Sequence, residues 1–543
     1  MTMRTRGRRA NIHFPGAAWW LERRALFGLL ALAALLLLPL LLVPPLNGDE
    51  AFVWNWARRL DWGYYSHPPM VAWLIALSTS LFGTSVFTVR LPSLVLHLGT
   101  MALIYRMTVD LTASRRMGLT AAAIYFALPL SLMMGLLITT DDPLIFFWTA
   151  AAYLVKRAVV DGRTHAWWPA AVMAGGALLS KFFSLLLHPA VFLFLVFSTR
   201  HRRILLRWEP YAAFVLSWLI FSPFLVWNAH HNWLTFKFNF MARHSNEGLD
   251  LLKPLHYLVG QLLAASPIML LLGILALLLF LPAPGSLARL GRSGHETQRD
   301  GLRLYAFMMA TPLAVFLVQS FTIRIGAHYT GVAYPLAAVL ITAWAHSQGQ
   351  RIDPTRLRRP IALGLGVAGA LLITLPLAVI VLWPTVLPAR HVYMAETDKR
   401  QNFAGDYFGW HEVGARIADL RQAWGDKPEG LFLSTSDYAI ASMFDFYTPG
   451  RAQFVIIGYL HQDFHGKEFL YWAKDIKRLG ANTIYVSDAP FELNEKHALV
   501  RYFASVEMLP PLEVRDSQGR LLRRFHFALG RGYRGGEPDL LNI

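Results

Sequence analysis

The chain has 543 residues and no cysteine, which excludes disulfides and thiolate-held metals and leaves its redox compartment open. Acids are scarce, with 34 Asp and Glu against 51 Lys and Arg and a formal net charge of +17. In a soluble protein such an excess would point to nucleic acid. Here the arginines stand in short loops between apolar runs, so the charge reads as membrane topology and no nucleic-acid partner is expected. There is no evident internal repeat, and the C-terminal part lacks the Gly-rich fingerprint that would cradle a nucleotide.

What is abundant is apolar sequence, 55% of residues with a mean hydropathy of +0.38. The runs are long enough to span a bilayer. They fall near 25–46, 86–109, 117–138, 143–159, 167–181, 183–199, 210–226, 256–281, 303–321, 329–347 and 361–383. Alternate loops collect Arg115 and Arg116, then Lys156 and Arg157, then Arg200 to Arg207, then Arg289 to Arg303, then Arg351 to Arg359. Placing these loops in the cytoplasm gives eleven transmembrane helices, a cytoplasmic N-terminus and an external C-terminus. Residues 1–24 are a basic cytoplasmic segment. The apolar run after them is too long for a signal-peptide core and lacks a small-x-small cleavage site, so it is expected to stay as a signal anchor.

The resulting class is a polytopic α-helical membrane protein, domain 25–384, with a structured first outer loop at 47–85 and a soluble α/β domain at 385–543. That loop is expected to carry two short helices, the first bearing Phe52, Trp54, Trp56, Trp62, Tyr64 and Tyr65 at headgroup depth. In the soluble domain, helix-like 409–424, 437–447 and 467–479 alternate with strand-like 431–435, 453–457 and 483–486. This alternation predicts a largely parallel sheet. Runs 512–515 and 522–529 are expected as antiparallel edge strands, and 530–538 as a loose tail.

Ionisable residues gather at the outer edge of the predicted bundle: Asp49 and Glu50, Arg58 and Arg59, His67, Asp141 and Asp142, Lys181, Arg324 and His328. The 227–256 loop adds His230, His231, Lys237, Arg243, His244 and His256. Such a mixture suits transfer from a lipid phosphate, in which a carboxylate deprotonates an acceptor hydroxyl and cations stabilise the departing phosphate. Each residue also has a plainer use. Asp49 and Glu50 suit a helix N-terminus, Asp142-Pro143 is a helix-start pattern, Lys181 can snorkel, His67-Pro68-Pro69 can be a rigid turn, and Arg324 and His328 can solvate a loop. Lys181 also follows Gly175-Gly176 at a break between two short apolar helices, where polar groups line a cavity.

The first loop with its Asp-Glu pair and His-Pro-Pro, then Thr140 to Pro143, then LLSKF at 178–182 and VWNAHHNW at 226–233, resembles the GT-C glycosyltransferases of the protein O-mannosyltransferase type. The bacterial branch that includes the lipid A aminoarabinose transferases is the most similar in pattern, over about 25–390. The resemblance implies an inverting glycosyltransferase of the inner membrane. It would take a sugar from a polyprenyl-phosphate donor on the periplasmic side and pass it to lipid A, lipopolysaccharide core or another glycan. It puts the first-loop acid on Asp49, with Glu50 beside it, and the second on Asp141 or Asp142. Lys181, Arg58 and Arg324 are expected at the donor phosphate, and His67, Tyr64, Tyr65 and His328 in the substrate pocket. A divalent metal, with His67 as a ligand, is left open. The aminoarabinose branch carries Lys-Pro-Pro where this chain has His67-Pro68-Pro69, so a hexose or uronic acid is as compatible with the pattern as aminoarabinose. The alternatives are a protein O-mannosyltransferase and a polytopic lipid or solute transporter, the latter disfavoured by acids at one edge and the absence of two related halves.

Overall fold

The computed structural model describes residues 16–242, 248–281, 296–349, 358–394, 404–424, 430–451, 453–457, 466–472, 478–495 and 497–535. Arg243 and His244 of the outer-edge set lie outside them. The helical part runs α1 (Gly16–Leu42), α2 (Gly48–Ala57), α3 (Met70–Phe82), α4 (Val86–Thr112), α5 (Arg115–Ala127), α6 (Pro129–Leu136), α7 (Asp141–Val159) and α8 (Trp167–Ser180). It continues through α9 (Leu187–Phe197), α10 (Glu209–His230), α11 (Leu234–Lys237), α12 (Lys253–Ala265), α13 (Pro267–Phe280), α14 (Glu296–Gln319), α15 (Ala333–Gly349) and α16 (Arg358–Leu382).

Every apolar run read from the sequence falls on a helix or a broken pair of helices. By length and composition α1, α4, α10 and α14 qualify as membrane spans, which makes this a membrane protein. Among the described residues the pairs α5–α6, bent by 77°, and α12–α13, bent by 102°, raise the number to six where each pair is counted as one span. Eleven separate crossings are not established. Both bends fall before a proline, Pro129 and Pro267, whose ring excludes the residue ahead of it from helical geometry.

The C-terminal part follows the predicted alternation. Helices α17 (Ala389–Val392), α18 (Trp410–Ala423), α19 (Tyr438–Tyr447), α20 (Lys467–Trp472) and α21 (Ala498–Tyr502) accompany strands β1 (Leu431–Thr435), β2 (Phe454–Ile456), β3 (Asn482–Ser487), β4 (Phe503–Arg515) and β5 (Leu521–Tyr533). The sheet order is β2-β1-β3-β5-β4. β1 pairs in parallel with both β2 and β3, and β5 is antiparallel to β3 and β4. Two expectations change. β5 lies inside the sheet rather than at its edge, and Gly530, expected in the tail, pairs with Thr483 of β3.

The first loop does form two short helices, α2 and α3. Its aromatics are buried in protein rather than presented at the surface, except Trp62, which is exposed. Phe52, Trp54, Trp56 and Tyr64 are buried in one core with Val413, Phe444, Phe469 and Phe527 of the C-terminal domain. Aromatic density near a membrane edge is therefore explained here by protein packing, where each large ring buries substantial apolar area.

Candidate active site

The site begins at the N-terminus of α2. Asn47 caps the helix: its side chain accepts from Glu50 N at 2.9 Å, and Glu50 Oε2 accepts from Asn47 N at 3.0 Å. Successive residues of a helix point about 100° apart, since 3.6 make a turn, so Asp49 and Glu50 cannot share an environment. Glu50 is fully buried, and its oxygens receive Arg90 Nε at 2.7 Å, Arg90 Nη2 at 2.6 Å and Ile138 N at 3.2 Å. Arg90, on α4, spends its other N–H groups on the carbonyls of Leu41, Pro44 and Pro45. With both oxygens saturated, Glu50 has nothing left to offer a substrate. It pins the first loop to α4 and to the end of α6. Asp49 is exposed, and its Oδ1 accepts from the Tyr438 hydroxyl at 2.9 Å.

The second acidic pair divides in the same way. Asp142 turns back to Thr139, accepting from its N at 2.7 Å and its Oγ1 at 3.0 Å. It is not the N-cap of α7. That position is Thr140, and no side chain caps there. Asp141 instead holds Lys181, whose Nζ lies 2.9 and 2.7 Å from its two oxygens. Lys181 sits at the expected break, extended between the end of α8 and a 3₁₀ turn, and it is buried. The rings of Phe183 and Tyr329 lie 5.3 and 5.1 Å from its ammonium, within reach of a cation–π contact. His328 Nε2 is 3.9 Å from Asp141.

A cavity of about 450 Å³ joins these groups. Asp49, His67, Asp141, Lys181, His328 and Tyr438 line it, with an apolar wall of Leu130, Met133, Met134 and Leu137 from α6 and its end. Thus acids from two loops, the lysine and both pocket histidines come together as the sequence implied. His67 Nδ1 lies 2.9 Å from Ser66 Oγ. Among the described residues no group of three or more His, Asp or Glu is arranged to hold a metal ion, so a metal at His67 has no ligand set there. A second cavity of about 400 Å³, near Val155, Trp167 and Phe214, is almost wholly apolar. Val155 is 14 residues along α7 from Asp141, roughly 21 Å at a helical rise.

Besides Glu50 and Asp142, four expected site residues are placed outside the cavity lining. Arg58 lies over the Trp54 ring and donates to the carbonyl of Arg451, on the C-terminal domain. Tyr64 stacks on Trp56, centroids 4.8 Å apart, and donates to the carbonyls of Trp56 and Arg59, closing the turn after α2. Tyr65 packs on Phe238, and its N donates to Glu468 at 2.6 Å. Arg324 is exposed and does not line the cavity. Tyr438 was missed, because nothing in a soluble-domain helix announces that it will reach the first loop. Arg90 had a signal: a charge inside an apolar run implies a partner. Two buried acids of the C-terminal domain face the same junction. Burial raises the Asp445 carboxyl to about 7 against the pull of Arg58 and Arg59, and raises that of Glu468 to about 8.

The polar cavity is thus lined jointly by the helical part, by the two-helix first loop and by Tyr438 of the α/β domain. Residues 66–227 match the family model described as dolichyl-phosphate-mannose-protein mannosyltransferase. Over 227 residues the chain is 30% identical to the lipid A galacturonosyltransferase RgtD of Rhizobium johnstonii, covering 40% of this chain and 46% of that protein. The match thus spans less than half the length of this curated relative. ArnT from Cupriavidus metallidurans has the same fold. Its apo structure matches with a TM-score of 0.59 at 15% identity, covering 95% of this chain and 98% of that one. Its complex with undecaprenyl phosphate matches with a TM-score of 0.59 at 14% identity, covering 94% and 98%. The chain therefore shares the fold of ArnT over nearly its whole length, and its similarities in sequence run in the direction its motifs led us to expect.

Proposed function

We propose that the protein is a glycosyltransferase that moves a sugar from a polyprenyl-phosphate donor to lipid A or lipopolysaccharide core, with inversion, at the periplasmic face of the inner membrane. The observation that carries this reading is one cavity holding an exposed carboxylate, Asp49, a buried cation, Lys181, and an apolar wall. Asp49 takes the proton of the acceptor hydroxyl as the acceptor oxygen bonds to the anomeric carbon. The bond from that carbon to the phosphate oxygen breaks on the opposite face, and its electron pair leaves with the polyprenyl phosphate. Lys181 spends two contacts on Asp141, and an ammonium has three N–H groups. The third is available to a phosphate oxygen, whose charge grows as the bond breaks. The wall of α6 suits the first prenyl units by simple apolar burial.

The galacturonosyl transfer named for the relative supports a uronic acid as the sugar, in keeping with the departure at His67-Pro68-Pro69. The test is mass spectrometry of lipid A and core from cells with and without the gene, together with purified protein in vesicles containing lipid A and a polyprenyl-phosphate uronic acid. Loss of a uronic acid in the deletion and its transfer in vesicles are the expected results. Unchanged lipid A and core, with no transfer in vesicles from a uronic acid or hexose donor, would overturn the reading.

A further inference from the structure

Helix α19 of the C-terminal domain meets the start of α2 at three points in sequence. Leu46 N donates to the Tyr447 hydroxyl at 3.0 Å in a buried bond. Gly48 lies so close to Ala439 that a Cβ at residue 48 would collide with its side chain. Tyr438 donates its hydroxyl to Asp49 Oδ1, packs its ring edge-on against Phe52 at 5.0 Å and 68°, and lines the cavity. The first two contacts hold the backbone at the start of α2 against side chains of α19. The third reaches the carboxylate itself. Where Tyr438 begins is fixed in turn by Asp437, which caps α19 by accepting from Ile440 N at 2.9 Å.

An exposed carboxylate on the first turn of a helix samples several rotamers, and a base works only in those that aim an oxygen at the proton it takes. Asp49 has Tyr438 as its hydrogen-bond partner among the described residues. A phenol anchored through Phe52 and the cap of α19 is a rigid donor, since only its hydroxyl rotor remains free.

We propose that Tyr438 is a positioning residue for sugar transfer: its hydroxyl holds one oxygen of Asp49 so that the other is aimed at the acceptor hydroxyl. The C-terminal domain is then part of the active site and not an appendage to it. This rests on the assignment of Asp49 as the base.

The test uses full-length protein in vesicles and the variants Tyr438→Phe, Asp49→Asn and their double. Tyr438→Phe keeps the ring on Phe52 and removes the one bond. kcat is expected to fall about 10-fold, the effect of losing a hydrogen bond to a charged group. KM for donor and acceptor should stay within about twofold, as for an interaction that acts on the chemical step. On the residual activity of Asp49→Asn, adding Tyr438→Phe should cost nothing further, because no base remains to be aimed. A Tyr438→Phe rate equal to wild type, or an equal loss with and without Asp49, would overturn the proposal while leaving the catalytic assignment in place. If Asp49→Asn itself transfers normally, the catalytic assignment fails and the positioning role falls with it.

Discussion

Asp49-Glu50 and Asp141-Asp142 are two acidic pairs on two loops, and each splits the same way. One member opens on the cavity, Asp49 beside Tyr438 and Asp141 beside Lys181. The other is committed to the protein, Glu50 to Arg90 and Asp142 to Thr139. The helix turn separates neighbours, but it does not say which of them faces the substrate. That is decided by where a complementary group waits, and Arg90, 40 positions along the chain, is what occupies both oxygens of Glu50. Two acids side by side thus divide between fixing the loop and facing the cavity.

The sharpest way to break this comparison is to remove the committed member. Glu50→Ala leaves Arg90 charged and buried without its carboxylate, which is expected to cost about 3–5 kcal/mol. Thermal unfolding in detergent reads it, and a melting temperature equal to wild type would show that Glu50 is not structural. Next comes Lys181→Ala, expected to weaken binding of polyprenyl phosphate by about 2–5 kcal/mol, the usual effect of truncating one partner of a buried charge contact. Unchanged affinity in a direct binding assay would return Lys181 to a purely structural pairing with Asp141.

A third, smaller effect concerns acids whose burial outweighs the pull of the nearby arginines. In the folded state Asp445 and Glu468 bind protons more tightly than when unfolded, with carboxyls raised to about 7 and about 8 by burial. Folding therefore takes up protons, and stability declines as pH rises through this range. Melting temperature should fall between about pH 4 and pH 8 and level off above that, and Glu468→Gln should flatten the slope. A melting temperature that rises with pH would contradict it. The smallest effect is expected from Asp142→Asn, about 1 kcal/mol in stability for a weakened contact to Thr139. Transfer should be nearly normal, and a loss of activity comparable to that of an Asp141 variant would break the division of the second pair.

How far the sequence reached follows from the range of its signals. Periodicity and apolar length are local, so the positions of the helices and the β1–β3 alternation were legible, as was the break at Lys181. The bends at Pro129 and Pro267 were written in the sequence too, but a run of apolar residues across them looked like one span. Tyr64, Tyr65 and Arg58 were misassigned because a juxtamembrane aromatic cluster reads alike whether it meets lipid or another domain. Here it met Phe444, Phe469 and the Arg451 carbonyl. Contacts across about 400 positions, such as Leu46 to Tyr447, leave no local mark, and Tyr438 was invisible for that reason.

The central claim is that Asp49 and not Glu50 is the base, and single-turnover transfer by purified Asp49→Asn at saturating donor tests it most directly. The amide keeps the size of the side chain and can still accept the Tyr438 bond, so folding and donor binding should be retained. The account predicts a rate lower by about 10²–10⁴-fold, the range of general base catalysis. A folded, donor-binding Asp49→Asn that transfers within about threefold of wild type, well inside the margin a base must exceed, would contradict it.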